Sequence, residues 1–388
     1  MRVLGACSLG GAGHLTPLAP ALAAARRRGA EVLVVAPPAM ADLVARAGFE
    51  FHPGGQPPDS AVAAIREQLP IVPQPEAVVL GNRELFGRLA ARAMLPAVES
   101  LVAHWRPDFV LREPCEYASA AVAARLGLPT AQVAISKARD ESASIAAAAP
   151  ALEELHPGLV DAVTRTTYLT RFPASLDPSS FPATIRFREP RPDPAPLPDW
   201  WDGSAAPLVY VTLGSVFGHL ADAVPAYRAL ARAVAGLPVR VLLTVGDALD
   251  PAALGPLPGN VRVESWVDQT DALAAAELVV CHGGSGTVFG ALAAGVPIVV
   301  VPAFADQFSN GRLVAGAGAG VVVDAPDGDR RLINDTDVPR IAAATGAALA
   351  ESSLAAAARR IAAEMAAAPL IDDVVTELLD GRTPGQAT

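Results

Sequence analysis

Residues 280–289 read VCHGGSGTVF, in which an apolar run closes and three glycines fall beside a histidine, a serine and a threonine. The stretch lies between a predicted strand, Leu278–Val280, and a predicted helix running to Ala294. A helix start carries unpaired N–H groups and positive partial charge. Bare glycine backbone comes close to a guest, so phosphate is the expected ligand. The motif is neither G-x-G-x-x-G nor a Walker A, because no Lys follows it. Read alone, it is also a tight turn with a helix cap at Ser285 or Thr287. Its neighbours add weight. Upstream, VESWVDQ puts Trp266 just past a strand, where its face can stack on a nucleobase. Downstream, VPAFADQ puts Asp306 and Gln307 after a buried strand, suited to binding vicinal hydroxyls. A stacking plane, a phosphate nest and a polyol clamp, in that order, are the layout of a nucleotide-sugar site.

The elements that must position these groups follow a βαβ cadence. Strands are predicted at Val3–Ser8, Glu31–Ala36 and Phe49–His52, with helices at Leu15–Arg28 and Met40–Ala47 between them. A long helix is predicted over Glu84–His104, then a strand at Phe109–Arg112, a helix at Tyr117–Leu126 and a strand at Thr130–Ile135. The stretch FREPRPDPAPLPD at 187–199 is too rich in proline for regular structure and reads as a semi-rigid linker. The alternation then restarts at Leu208–Leu213 and closes with Ala-rich helices. The expected domains are 1–190, a proline-rich linker at 191–202, a second domain at 203–370, and a C-terminal helix and tail at 371–388, the helix packing back on the first domain.

Composition narrows the class. The chain has 388 residues, 52% apolar and 18% charged, with a formal net charge of −10. It is globular, and with no Arg cluster forming a basic patch, nucleic acid is disfavoured as a partner. Cys7, Cys115 and Cys281 form no CxxC and no metal-ligand spacing, which suits a reducing cytoplasm. No membrane span and no signal peptide are expected.

With those motifs in place, the chain resembles glycosyltransferase family 1, in its bacterial natural-product branch. The resemblance runs through GHLTP, RPDFVLREP, VTLGS, the Trp266–Gln307 signature with HGGSGT and ALAAGVPIVVVP, and DQ followed by Asn310. It implies the GT-B fold, an α/β architecture of two Rossmann-like doubly wound domains facing a cleft. The first domain would bind the acceptor and the second the nucleotide-sugar donor. Trp266 would stack on the pyrimidine, and the Val267 backbone would hydrogen-bond it. His282 would hold the pyrophosphate with Gly284, Ser285, Gly286 and Thr287, and Ser215 would reach the same phosphates. Asp306 and Gln307 would hold sugar hydroxyls.

The resemblance also implies the base. His14, at the first strand-to-helix turn, would deprotonate the acceptor hydroxyl, with a carboxylate orienting it. The matching carboxylate is Glu113 in LREPCEY, where the family has Asp; Glu116 is a nearby rival. Family members that use UDP-glucose place a Glu eight residues after the histidine, and here that position is Gly290. The departure implies a dTDP-sugar, whose deoxyribose has no 2′-hydroxyl to grip. The expected reaction is inverting transfer of a (deoxy)sugar to a hydroxyl of a largely apolar aglycone in antibiotic biosynthesis, with no metal and no other cofactor. Asp327-Gly328-Asp329 spells a metal-binding D-x-D but reads as a plain turn. The acceptor is expected at loops 53–83 and about 136–150. Other readings are a UDP-sugar enzyme or a C-glycosyltransferase of the same fold, a nucleotide-sugar epimerase, and a non-catalytic nucleotide-sugar-binding auxiliary protein. A homodimer is compatible with the sequence.

Overall fold

The computed structural model describes residues 1–9, 11–69, 72–190, 193–214, 217–220, 222–303, 306–324 and 333–382. The chain divides into two units, Met1–Pro190 with Ala368–Thr388, and Arg191–Ala367.

In the first unit the strands are β1 (Arg2–Ala6), β2 (Glu31–Ala36), β3 (Glu50–Pro53), β4 (Phe109–Arg112), β5 (Thr130–Val133), β6 (Thr167–Thr170) and β7 (Thr184–Arg186). They form one parallel sheet in the order β3-β2-β1-β4-β5-β6-β7. The strand order reverses between β1 and β4, so the loops after these two strands open side by side. Such a switch point is where doubly wound folds bind ligands. The helices are α1 (Ala12–Arg27), α2 (Ala41–Arg46), α3 (Asp59–Gln68), α4 (Gln74–Val79), α5 (Ala91–Trp105), α6 (Tyr117–Leu126), α7 (Ala138–Leu155) and α8 (Leu159–Arg165). Leu15, Leu18 and Leu22 of α1 pack on one face of the sheet, and Met94, Val98 and Val122 of α5 and α6 on the other.

The second unit repeats the plan with β8 (Leu208–Thr212), β9 (Arg240–Thr244), β10 (Val261–Glu264), β11 (Leu278–Cys281), β12 (Ile298–Val300) and β13 (Gly320–Val322), all parallel, in the order β10-β9-β8-β11-β12-β13. Its helices are α9 (Ala223–Ala235), α10 (Gln269–Ala275), α11 (Ser285–Ala294), α12 (Gln307–Gly316), α13 (Val338–Ala350) and α14 (Ser352–Ala366). The reversal here lies between β8 and β11. The last helix, α15 (Ile371–Leu379), belongs to the first unit, where Ile371, Val374 and Val375 join the α1 side of the core. Among the described residues no single helix is long and apolar enough to cross a membrane.

Three expectations need correction. The stretch expected as a loop at about 136–150 belongs, from Ala138 on, to the 18-residue helix α7. Its Ile145, Ala148 and Leu152 supply a buried apolar stripe at helical spacing. In the 53–83 region α3 coincides with the short helix that the sequence allows at Ala61–Gln68, whereas α4 falls where loop is expected. The long helix expected over Glu84–His104 instead changes winding: Leu80–Ala90 is a π-helix that passes into α5. Gly87 suits that segment, because a Cβ there would stand 3.2 Å from Ala151 Cβ and 3.4 Å from Ala148 Cβ on α7.

Candidate active site

Within the first unit, a candidate site follows from the switch point between β1 and β4. His14 lies in the first turn of α1, after β1, and Glu113 immediately follows β4. The Glu113 amide donates to the Ala6 carbonyl at 3.2 Å, which extends the β1–β4 ladder by one step. The Glu113 carboxylate is fully buried, and its Oε1 stands 3.2 Å from His14 Nδ1. At that distance the two groups are in contact without full hydrogen-bond alignment. Two backbone amides hold the carboxylate: Ser8 N–H donates to Oε1 at 2.9 Å and Cys115 N–H to Oε2 at 2.6 Å. Burial pushes the Glu113 carboxyl upward, but the His14 charge and these amides outweigh it and hold it below the usual carboxylate range. Glu113 is therefore kept ionised beneath an imidazole that is itself 15% exposed.

Glu116 has a different task. It is the N-cap of α6, accepting from Ala118 N–H, from Ser119 N–H and from the Ser119 hydroxyl. Burial raises its pKa. Its carboxylate is spent on the helix start, and Glu113 is the one beside His14.

Arg112 was not legible as part of this machinery. It is fully buried, and its Nη1 donates to the carbonyls of Glu113, Pro114 and Glu116 at 3.0, 3.1 and 3.2 Å, while Nη2 donates to Gln132 Oε1 at 2.7 Å. The guanidinium thus clamps the loop that carries Glu113. The signal in the sequence is a lone Arg closing the apolar run FVLR, just before two acidic residues.

Cys115 completes a trio. Ligand atoms of His14, Glu113 and Cys115 all lie within 4.8 Å of one another, which brings a metal-type donor set together. Burial raises the Cys115 thiol well above its ordinary value, so it sits beside the dyad as a neutral group.

A second set of candidate residues lies within the other unit, where the loops after β8 and β11 open together. Gly284 caps α11 and provides no side-chain bond to the first amides of the helix. The glycines do more than admit a guest. A Cβ on Gly284 would stand 2.4 Å from His282 Nε2, and one on Gly214 would stand 2.8 Å from His282 Cε1. Bare backbone on two sides is what gives the His282 ring its seat. Gly283 has φ +91°, and a Cβ there would also meet Val300 Cγ1 at 2.6 Å. Gly286 has nothing within 4 Å of such a position and faces open space.

Burial pushes the His282 imidazole down to about 4, against the Asp306 charge and the Thr212 backbone, so the ring is neutral near pH 7. Ser285 Oγ donates to Asp306 Oδ2 at 2.7 Å. Buried Asn310 donates to the Gly283 carbonyl at 2.8 Å, to Ser285 Oγ at 3.1 Å and to Asp306 Oδ2 at 3.0 Å. Asn310 is thus the pin between the glycine loop and the Asp306 loop. Gln307 is buried, and its Oε1 accepts from Ala303 N–H at 2.8 Å. Thr287 is also buried. Trp266 is 69% exposed, which rules out a core role for it; Val267 beside it is half-buried. Ser215 and the Asp327-Gly328-Asp329 stretch lie outside the described residues.

Comparison with known proteins identifies the family. Residues 23–214 match the erythromycin biosynthesis protein CIII-like N-terminal domain, and residues 228–380 match the C-terminal domain of the same description. The chain is 33% identical to the elloramycin glycosyltransferase ElmGT of Streptomyces olivaceus, covering 97% of each chain. It is 32% identical to the L-demethylnoviosyl transferase of Streptomyces niveus, covering 95% of each. Among solved structures, the glycosyltransferase SsfS6 of Streptomyces sp. SF2575 in complex with thymidine diphosphate superposes with a TM-score of 0.74 at 28% identity, over 98% of this chain and 99% of that one. The two parallel-sheet units are the two Rossmann-like domains of the GT-B fold. The chain is a glycosyltransferase, and it belongs to the bacterial antibiotic glycosyltransferases of family 1.

Proposed function

We propose that the enzyme transfers a (deoxy)sugar from a dTDP-sugar to a hydroxyl of a largely apolar natural-product aglycone, with inversion at the anomeric carbon. The observation that carries this reading is the 3.2 Å approach of the ionised, amide-held Glu113 to His14 at a topological switch point. His14 takes the proton of the acceptor hydroxyl as its oxygen attacks the anomeric carbon. Glu113 orients the imidazole and stabilises the imidazolium that forms. The bond to the nucleoside diphosphate breaks on the opposite face, and the diphosphate departs with the electron pair. The uncapped start of α11 and the neutral His282 steady that charge. The scheme routes no step through a metal.

For the donor, Trp266 offers its exposed face to the base and Val267 its backbone. Asp306 and Gln307 hold the sugar, with Asp306 oriented by Ser285 and Asn310. The space over Gly290 is taken by Gln269, whose Oε1 lies 2.9 Å from where a Cβ would be. No carboxylate stands at that position to grip a ribose, which supports thymidine over uridine, as does thymidine diphosphate in the SsfS6 structure. Calorimetric titration in EDTA with TDP and with UDP tests the reading. TDP is expected to bind tighter; a preference for UDP overturns the dTDP assignment.

A further inference from the structure

The mechanism above leaves one contact of the base unused. The ring of Phe86 stacks on His14, with centroids 5.4 Å apart and planes 21° from parallel. Phe86 sits inside the π-helix Leu80–Ala90. Segments of i→i+5 winding are rare and gather at functional sites. Wider winding changes which side chains share a face, and here it delivers an aromatic ring to the imidazole. The charged neighbours Arg83, Glu84 and Arg88 are engaged with one another and with Glu154 of α7.

A flat stacked face restrains a ring in a particular way. It opposes tilting of the imidazole plane but permits rotation within that plane. His14 needs that freedom: Nδ1 is already 3.2 Å from Glu113 Oε1 but not aligned as a hydrogen bond. A small in-plane turn aligns Nδ1–H with the carboxylate and leaves Nε2 as the acceptor of a proton. We infer that Phe86 is a positioning residue, whose ring holds the His14 imidazole in the plane that keeps Nδ1–H on Glu113 and Nε2 free to act as base. The inference rests on the proposed role of His14 for its meaning in catalysis, while the ring geometry is measurable without any acceptor.

The test is NMR of the full chain with ¹⁵N-labelled histidine at mildly alkaline pH, where ring nitrogen shifts report the tautomer. The chain has 6 histidines, and the His14→Ala spectrum identifies the signals of His14. Wild type and Phe86→Tyr are expected to show a single Nδ1–H tautomer with ring protons shifted upfield by the aromatic face. Phe86→Leu is expected to lose both the upfield shift and the single tautomer while still binding TDP, a property of the other unit. Phe86→Met is the second variant should Leu compromise folding. A single Nδ1–H tautomer retained in Leu or Met overturns the inference, as does its loss in Tyr. If the tautomer responds as expected but His14→Ala still transfers sugar, the positioning stands and the base assignment falls.

Discussion

Glu113 and His14 come from loops that are about a hundred residues apart in sequence, yet adjacent pairing of β1 and β4 sets Oε1 and Nδ1 3.2 Å apart. The carboxylate is fixed by two amides, on a loop whose carbonyls the buried Arg112 clamps, before any substrate arrives. Replacing its charge while keeping its shape isolates that role. Glu113→Gln is expected to lower the catalytic rate by about 10²-fold or more, with TDP affinity within about twofold of wild type. Initial rates alongside calorimetry check this, and an unchanged rate removes Glu113 from the mechanism.

Trp266 is exposed and outside the core, so its removal separates binding from folding. Trp266→Ala is expected to weaken TDP by about 1–3 kcal/mol, the worth of one base stacked on an aromatic face. Thermal stability should be unchanged. A loss of stability without a loss of affinity would mean that the ring packs and does not bind.

The donor role proposed for His282 depends on its glycine seat. Gly284→Ala puts a methyl 2.4 Å from its Nε2 and must displace the ring. His282→Ala is expected to weaken TDP by about 10-fold to 100-fold, the range of one hydrogen bond to a charged group. Gly284→Ala should weaken it similarly although it removes no polar atom. Full TDP affinity in Gly284→Ala would show that the seat is unimportant.

Stability should also track pH through His282. Its imidazole is depressed from 6.5 to about 4, so the folded state favours the neutral ring. That contribution is fully present above pH 6.5 and is lost as pH falls toward 4. Denaturant melts of wild type and His282→Asn check it: the acid loss in this window should be shallower in the variant.

Glu141 acts with the opposite sign. It is buried and accepts at 2.7 Å from the amides of Ile135 and Ser136, yet burial raises it from 4.5 to about 8. Its contribution is fully present below pH 4.5 and is lost as pH rises through 8. Glu141→Gln should flatten the decline in stability across that range, and an equally steep decline would contradict the assignment.

The sequence announces the two sheets because short apolar runs such as Glu31–Ala36 and Phe109–Arg112 alternate with apolar helical spacing. Those runs, read with the family resemblance, also led to His14, Glu113 and Trp266. Other features depend on tertiary context. Glu113 and Glu116 are three residues apart in one loop, and only the start of α6 makes the second a cap. The π-helix has no local signature in LGNRELFGRLA; it becomes intelligible only when Gly87 is seen against Ala148 and Ala151. The glycines of the phosphate loop suggested a guest, whereas part of their purpose is to seat His282. The stretch at about 136–150 reads as acceptor loop because its Ala content hides a weak amphipathic stripe.

The most direct measurement is sugar transfer from a dTDP-sugar by wild type and His14→Ala across a panel of phenolic and polyketide hydroxyl acceptors, with TDP affinity measured on the same preparations. The expected result is that His14→Ala loses transfer by about 10²–10⁴-fold, the range for a general base, and binds TDP as tightly as wild type. Transfer that survives in His14→Ala would contradict the dyad and require another base.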